Sequence, residues 1–435
     1  MFYWKGCQIG TINDNFEVAL GMSRKWDARE AGREVARDVI QKLKRPPSFF
    51  LLFSTIHYEK HGGFEEFLAG VWDVLPKGTP LIGGTVAGFQ NNYGCYCHGA
   101  TALAVYNPHI DVAVGVGYNT KRSPKKAAFS CLKQIKDGLD HSSYSQKCII
   151  DIISGGLVPQ MLGIGRKKVL RGMTSVLALY LSSLSLYLLQ KGIGREEDVL
   201  QVISDKMNDF YILHGSSMDD GKAFSNFQFC NYEVGSNMAV ALGFACDAHI
   251  SLFSTHNLKE SVSLPRVKII RNGVGIRKIN NKPALKEFLR ILNWPEEYFD
   301  EQLFKRTYFY PIGFKKNNQW ISRVIAIICG NVMITTNKLE GDEFAVLSFN
   351  GKDVLQGVTD TISKHGIERP AFGLISSCAA RLQALGIQSF QVHHELYSYF
   401  QDHPFILFYS GGEGSKKPHE ELYYGNESFH SLVVS

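Results

Sequence analysis

The chain lacks any apolar run long enough to cross a membrane. The longest, Val176 to Leu189, is broken by three serines and falls short of the ~20 residues a helical span needs. The start, Met1-Phe-Tyr-Trp-Lys-Gly-Cys7, has neither the basic nor the long apolar segment of a secretory signal. A cytoplasmic setting with reduced thiols is therefore expected. The nine cysteines are an odd set scattered through apolar runs, with no Cys-x-x-Cys pair, which argues against a disulfide framework. Also missing are Gly-x-Ser-x-Gly, His-Glu-x-x-His and a Walker loop. Gly163-Ile-Gly165-Arg166 opens like a dinucleotide loop but has no third glycine and no acid placed for a ribose. There is no low-complexity segment and no repeat of solenoid length. With these signatures absent, no catalytic residue is assigned and the chain reads as a binder rather than an enzyme.

What is present suits a soluble α/β protein. A length of 435 residues exceeds what one core usually spans, and 45% apolar with 20% charged residues is ordinary for a folded chain. The formal charge of +6 comes partly from Lys121-Arg-Ser-Pro-Lys-Lys126, Arg166-Lys-Lys168 and Lys416-Lys417. These clusters read as solvated loops, and no nucleic-acid partner is expected. Ala28, Ala31, Val35, Val39 and Leu43 form one helical stripe, with Asp27 as N-cap and Pro46-Pro47 as the stop. Phe49-Phe-Leu-Leu-Phe53 reads as a buried strand and Cys148 to Ile153 as another. Ala100 to Val105 and Val112 to Gly117 read as strands of one sheet, and Asn272-Gly273 as a turn between strands. The fold class is α/β: two α/β domains with mixed, largely antiparallel sheets covered by helices.

Two C-terminal blocks combine small residues with single charges. Cys378-Ala-Ala-Arg381 follows an apolar run, and Phe405-Ile-Leu-Phe-Tyr409 leads into Ser410-Gly-Gly412-Glu413-Gly. A cation and an anion at adjoining element ends make either a ligand pocket or an internal ion pair. Arg381, one turn from Cys378, would lower the thiol pKa, although a lone cysteine after a strand is more often packing. Cys95-Tyr-Cys97-His98 gathers three soft ligands but lacks a paired motif, so no metal is assigned. Between Leu170 and Leu189 the apolar positions are too many for one stripe. That helix is expected to pack between domains or on a second subunit, which would make a homo-oligomer.

The ordered set of motifs resembles FIST proteins, which pair a FIST-N and a FIST-C sensory domain. The matching pieces are Phe49 to Ser54, Leu81-Ile-Gly-Gly84-Thr85-Val-Ala-Gly88, Gly115-Val-Gly117, Gly215 to Asp220, Asn280 to Ala284, Cys378 to Arg381, Glu395, Gly412-Glu413 and Asn426-Glu-Ser428. The resemblance implies a FIST-N-like domain over 1–209, with a helical insertion at about 163–193, and a FIST-C-like domain over 210–435. It also implies a small-molecule sensor with an amino-acid-like ligand, relaying to a separate signalling protein. In that reading Arg381 holds a carboxylate bidentately and Glu413 accepts from an ammonium. Gly84, Thr85 and Gly412 give backbone approach, and Cys378 and Glu395 complete the set. No cofactor is assigned. The family's haem-based nitric oxide sensors make haem the alternative, with His214, His393 and His394 as axial candidates, and a ligand-free interaction scaffold is a third reading. The chain departs from the family at His214-Gly215, where a glycine pair is usual.

Overall fold

The computed structural model describes residues 10–11, 16–159, 165–264, 267–269, 274–348 and 350–435. The start of the chain, the Asn272-Gly273 turn and the Gly163-Ile164 pair lie outside them. Three sheets carry the architecture, and each has its helices on the outside. The first orders strands Gly10–Thr11, Glu17–Ser23, Ala100–Tyr106, Phe49–Ser54, Leu81–Thr85, Gln228–Cys230 and Glu233–Gly235. The second orders Tyr423–Gly425, Glu413–Lys416, Tyr211–Ser217, Gln146–Ser154, Met238–Cys246 and Ile110–Tyr118. The third orders Ile250–Thr255, Phe429–Val434, Phe372–Cys378, Phe405–Ser410, Gly88–Asn91 and Gly94–Tyr96. The two remaining sheets, built largely from residues 259–348, are smaller.

A single central core joins the inner faces of all three large sheets. Phe49, Leu51 and Phe53 from the first meet Ile150, Ile152 and Leu213 from the second and Leu374, Ile406 and Phe408 from the third. The alternate residues of the same strands face outward under helices. Phe50 and Leu52 lie with the Ala28–Ile40 and Phe64–Trp72 helices, Ile149 and Ile153 with Pro124–Leu139, and Leu407 and Tyr409 with Gly351–Ser363 and Ser389–Phe400. Burial on both faces is why these strands are continuous apolar runs without polar alternation. Asp27 caps the first helix as expected, accepting from the Glu30 N–H at 2.9 Å.

Two expectations about placement change. Ala100–Tyr106 and Ile110–Tyr118 belong to different sheets, because the short link between them turns the chain across the central core. Lys121, Lys168 and Lys416, read as members of solvated clusters, each bury the ammonium against backbone carbonyls. Lys121 bonds the Ser154 and Gly194 oxygens, Lys168 that of Gly221, and Lys416 that of Ser204.

The order of strands also interleaves the two stretches on either side of residue 210. Tyr211–Ser217 pairs in parallel with Gln146–Ser154, Gly88–Asn91 pairs with Phe405–Ser410, and Gln228–Cys230 pairs with Leu81–Thr85. Each large sheet holds one parallel pair: Phe49–Ser54 with Leu81–Thr85, Gln146–Ser154 with Tyr211–Ser217, and Phe372–Cys378 with Phe405–Ser410.

Candidate functional site

Carboxyl ends of parallel strands are where open α/β sheets leave a crevice, because each chain must turn away there into a loop. The second and third sheets end their parallel pairs around one pocket of about 100 Å³. Its walls include Gly156 after one strand, Met218 and Gly221 after its partner, Cys378 at the end of the third and Ser410-Gly411 at the end of the fourth. Backbone bonds tie these loops together: Gly155 N–H donates to Ser217 O, Gly411 N–H to Ser216 O and Met218 N–H to Thr85 O.

The polar lining is opposite in charge. Lys168 gives one ammonium hydrogen to Gly221 O at 2.7 Å, and burial lowers its pKa to about 8 despite Asp219 nearby. Glu196 also lines the cavity. Its Oε1 accepts from Lys121 at 3.0 Å, while its Oε2 is buried without a partner. Burial lowers the Lys121 pKa and raises that of Glu196, each partly offset by the other's charge. Neither residue was picked out from the sequence. Glu196 begins an acidic helix start that looks like dipole complementation, and Lys121 sits in a run that looks solvated. Only the fold buries them against each other.

The residues expected to form the site fall into three places. Cys378 lines the cavity, and Arg381 and Glu413 lie behind its wall. The Arg381 fork is spent on backbone: its guanidinium donates to the carbonyls of His256 (3.4 Å), Glu427 (3.2 Å) and Val354 (3.2 Å), over the Phe429 ring. Among the described residues it makes no ion pair within 4 Å, so Arg381 and Glu413 do not form the direct pair that the sequence left open. Glu413 accepts from Ser410 at 2.9 Å and from Ser428 at 3.4 Å. Burial first, then the charge of Glu427, pushes its carboxyl well above the usual range. Burial likewise pushes the Cys378 thiol up, with Glu413 and Glu427 adding to the effect. The lowering expected from Arg381 does not appear, because burial dominates the shift and the neighbouring Glu413 and Glu427 act in the same direction.

Gly412 is held by its carbonyl, which accepts from Ser216 N–H, and a Cβ there would fall 2.4 Å from the Tyr424 hydroxyl. Gly84 and Thr85 close the first sheet against the loop after residue 217. Thr85 exchanges hydrogen bonds with Phe227 through its N–H and its hydroxyl. Glu395 lies apart, on the outer Ser389–Phe400 helix, accepting from Thr359 at 3.1 Å.

Glu427, quoted only as a family motif residue, is the least satisfied acid here. It is 1% exposed and both carboxylate oxygens are buried without a partner. Burial raises its pKa to about 8, with Arg381 opposing. The departure at His214 also has a local reason. His214 Nδ1 lies 2.5 Å from Asp151 Oδ1, and Nε2 lies 3.1 Å from Ser216 Oγ, so the imidazole fills a polar slot with both nitrogens engaged. Of the other haem candidates, His393 bonds Asn91 O at 2.9 Å and His394 is exposed. Cys95 turns toward Ser389 O and His98 stacks on Trp26 at 3.8 Å between ring centres. Among the described residues no three His, Cys, Asp or Glu side chains converge as metal ligands.

Outside the cavity, Ile193, Asn337 and Tyr424 are shared with a charged cleft of about 480 Å³ between the 196–206 helix and the Ile312–Lys316 strand. These three side chains form the partition between the two spaces.

A family model described as the FIST N domain matches residues 7–128 and 48–282. No protein with a curated description matches. Among solved structures, a cyanuric acid hydrolase from A. caulinodans is 8% identical over 53% of this chain and 71% of that one, with a TM-score of 0.26. PurLQS from Thermotoga maritima is 10% identical, covering 98% and 74%, with a TM-score of 0.21. Phosphoribosylformylglycinamidine synthase II from Thermotoga maritima is 9% identical, covering 99% and 74%, also with a TM-score of 0.21. TM-scores this low carry no argument about fold or function.

Proposed function

The chain belongs to the FIST N domain family, whose domains are in general small-ligand sensory modules of signal transduction, and from that premise we propose that it is a cytoplasmic sensor of an amino-acid-like molecule. The observation that carries the reading is one pocket lined both by Glu196, whose buried Oε2 has no partner, and by Lys168, whose ammonium is only partly committed. An unpaired buried carboxylate oxygen costs free energy unless something occupies the space beside it. A ligand with an ammonium for Glu196 and a carboxylate for Lys168 would satisfy both. The pocket volume of about 100 Å³ suits a small molecule, and Ile193, Asn337 and Tyr424 bound it on the side of the charged cleft.

Cys378, Ser410 and Asn426 supply neutral polar wall. In this reading Arg381 and Glu413 act behind it. Arg381 ties together the Val354, His256 and Glu427 carbonyls, and Glu413 fixes Ser410 and Ser428. Gly412, Thr85 and Gly84 hold the strand ends at their spacing, and Glu395 has no part. The occupied cavity would be reported to a separate signalling protein through the charged cleft, where a shift of Asn337 or Tyr424 changes the outer surface.

Thermal-shift measurements with the common amino acids, together with mass spectrometry of small molecules retained on the purified protein, test this. A stabilising amino acid is expected. Lys168→Met and Glu196→Gln should each weaken its binding roughly ten- to a hundredfold, the effect of one charged hydrogen bond. No shift with any amino acid, and nothing retained, would sink the reading in favour of a scaffold. A Soret band in the visible spectrum would favour the haem sensor.

A further inference from the structure

Seventeen large apolar side chains are exposed among the described residues, and nine of them lie between Met173 and Leu189. Scattered exposed apolar residues need no explanation, but a cluster this dense marks a contact surface. The cluster is also ordered. Met173, Val176, Leu177, Tyr180, Leu184 and Leu188 recur at helical spacing along Gly172–Leu184 and its continuation Ser185–Leu189, while Ser175 and Ser185 are buried. The helix therefore keeps a broad apolar face in solvent, while Ala178, Leu179 and Leu186 pack toward the body. Leu177 and Leu181 also line an apolar cleft of about 430 Å³ between the helix and the Ile325–Cys329 strand, so the apolar surface reaches inward from that face.

Charge identifies what this face fits. Residues 152–195 contain six Lys and Arg and no Asp or Glu, a formal +6 equal to the excess of the whole chain. Lys167 and Arg171 are exposed just before the helix. Exposed Arg122 donates to the Tyr187 and Leu188 carbonyls at 2.8 and 3.4 Å, placing a cation at the other end, with exposed Lys125 and Lys126 one turn further on. Arg195, paired with Asp198 at 3.4 Å, and Lys168, turned into the pocket against Gly221 O, are the exceptions. An apolar helical face with cations at both ends is the pattern of a helix lying in a membrane interface, apolar side down and basic rim on anionic headgroups. Among the described residues no helix is long and apolar enough to cross a membrane. A second copy fits less well, because a two-fold contact would oppose two such cationic segments.

We infer that the Met173–Leu188 face is a docking surface for an anionic lipid bilayer, which the helix occupies in the plane of the interface without crossing. This stands independently of the ligand reading. The test is co-sedimentation of the full chain with vesicles of phosphatidylcholine alone and of phosphatidylcholine with about one third phosphatidylserine, accompanied by light scattering without lipid. A lipid-free monomer that sediments only with phosphatidylserine vesicles, and less at high salt, is expected. The double variant Leu184→Glu, Leu188→Glu should lose sedimentation. Lys167→Glu with Arg171→Glu, which leaves the apolar face untouched, should weaken binding roughly fivefold or more per charge. Failure of the parent chain to sediment, or unchanged sedimentation of both variants, overturns the proposal. A lipid-free dimer dissociated by Leu184→Glu would assign the face to a second copy instead.

Discussion

Glu427 lies within the electrostatic reach of Arg381, yet both its carboxylate oxygens are unpartnered and its backbone is held at φ +54°. Its pKa of about 8 is above the ordinary 4.5, so the folded state holds this proton more tightly than the unfolded one. The sign follows: its contribution to stability is fully present below about 4.5 and is lost as pH rises toward 8. Within that window each pH unit is worth up to about 1.4 kcal/mol. Glu427→Gln, which cannot ionise, should match the parent chain in denaturant midpoint near pH 5 and exceed it by about 2–4 kcal/mol near pH 8. Equal midpoints at both pH values would mean that Glu427 is not held protonated. Nothing in Asn426-Glu-Ser428 announces this behaviour, since a glutamate between two polar residues near the chain's end reads as surface. The shift comes entirely from strands that close over it.

The Ala28–Ile40 and Phe64–Trp72 helices illustrate what periodicity does and does not reveal. Their stripes and the Asp27 cap are readable because a 3.6-residue pattern against a flat core leaves few alternatives. Their closeness is not readable. A Cβ at Gly70 would stand 2.1 Å from Arg29 O, and one at Gly32 2.1 Å from Phe67 O, so the two backbones touch where each helix has a glycine. By helix propensity alone, Gly70→Ala should stabilise by up to about 1 kcal/mol. With the crossing in place it should destabilise by about 1–3 kcal/mol through overpacking. The direction of the thermal shift decides between intrinsic propensity and contact. The cationic clusters show the same limit. Lys121 and Arg122 are neighbours in sequence, but one is buried on three acceptors and the other is exposed at the end of the apolar helix.

Across the molecule, the three large sheets take strands from both sides of residue 210, and the central core is common to all of them. The division into 1–209 and 210–435 follows family motifs, and independent folding of either part is a separate matter. A chain ending at 209 would lose Tyr211–Ser217 and Met238–Cys246, leaving both edges of Gln146–Ser154 unpaired. Such an edge is a site of aggregation. Expression of 1–209 alone should therefore give an insoluble or non-cooperatively unfolding chain, and the full protein a single transition that includes both parts. A soluble, cooperative 1–209 fragment would show that the shared sheets are not needed.

Amino-acid order by itself determined the α/β class, many of the strands and helices, and the family. These depend on local periodicity and on small residues at strand ends, which act over a few positions. Tertiary structure alone decided which charges matter. It occupied the Arg381 fork with carbonyls, pushed the pKa of the Cys378 thiol up by burial beside Glu413 and Glu427, and brought Lys168 and Glu196 to one small pocket. The physical reason is that a charge takes its chemistry from its dielectric and its partners. Those are supplied by loops from strands far apart in the chain, which no window of sequence contains.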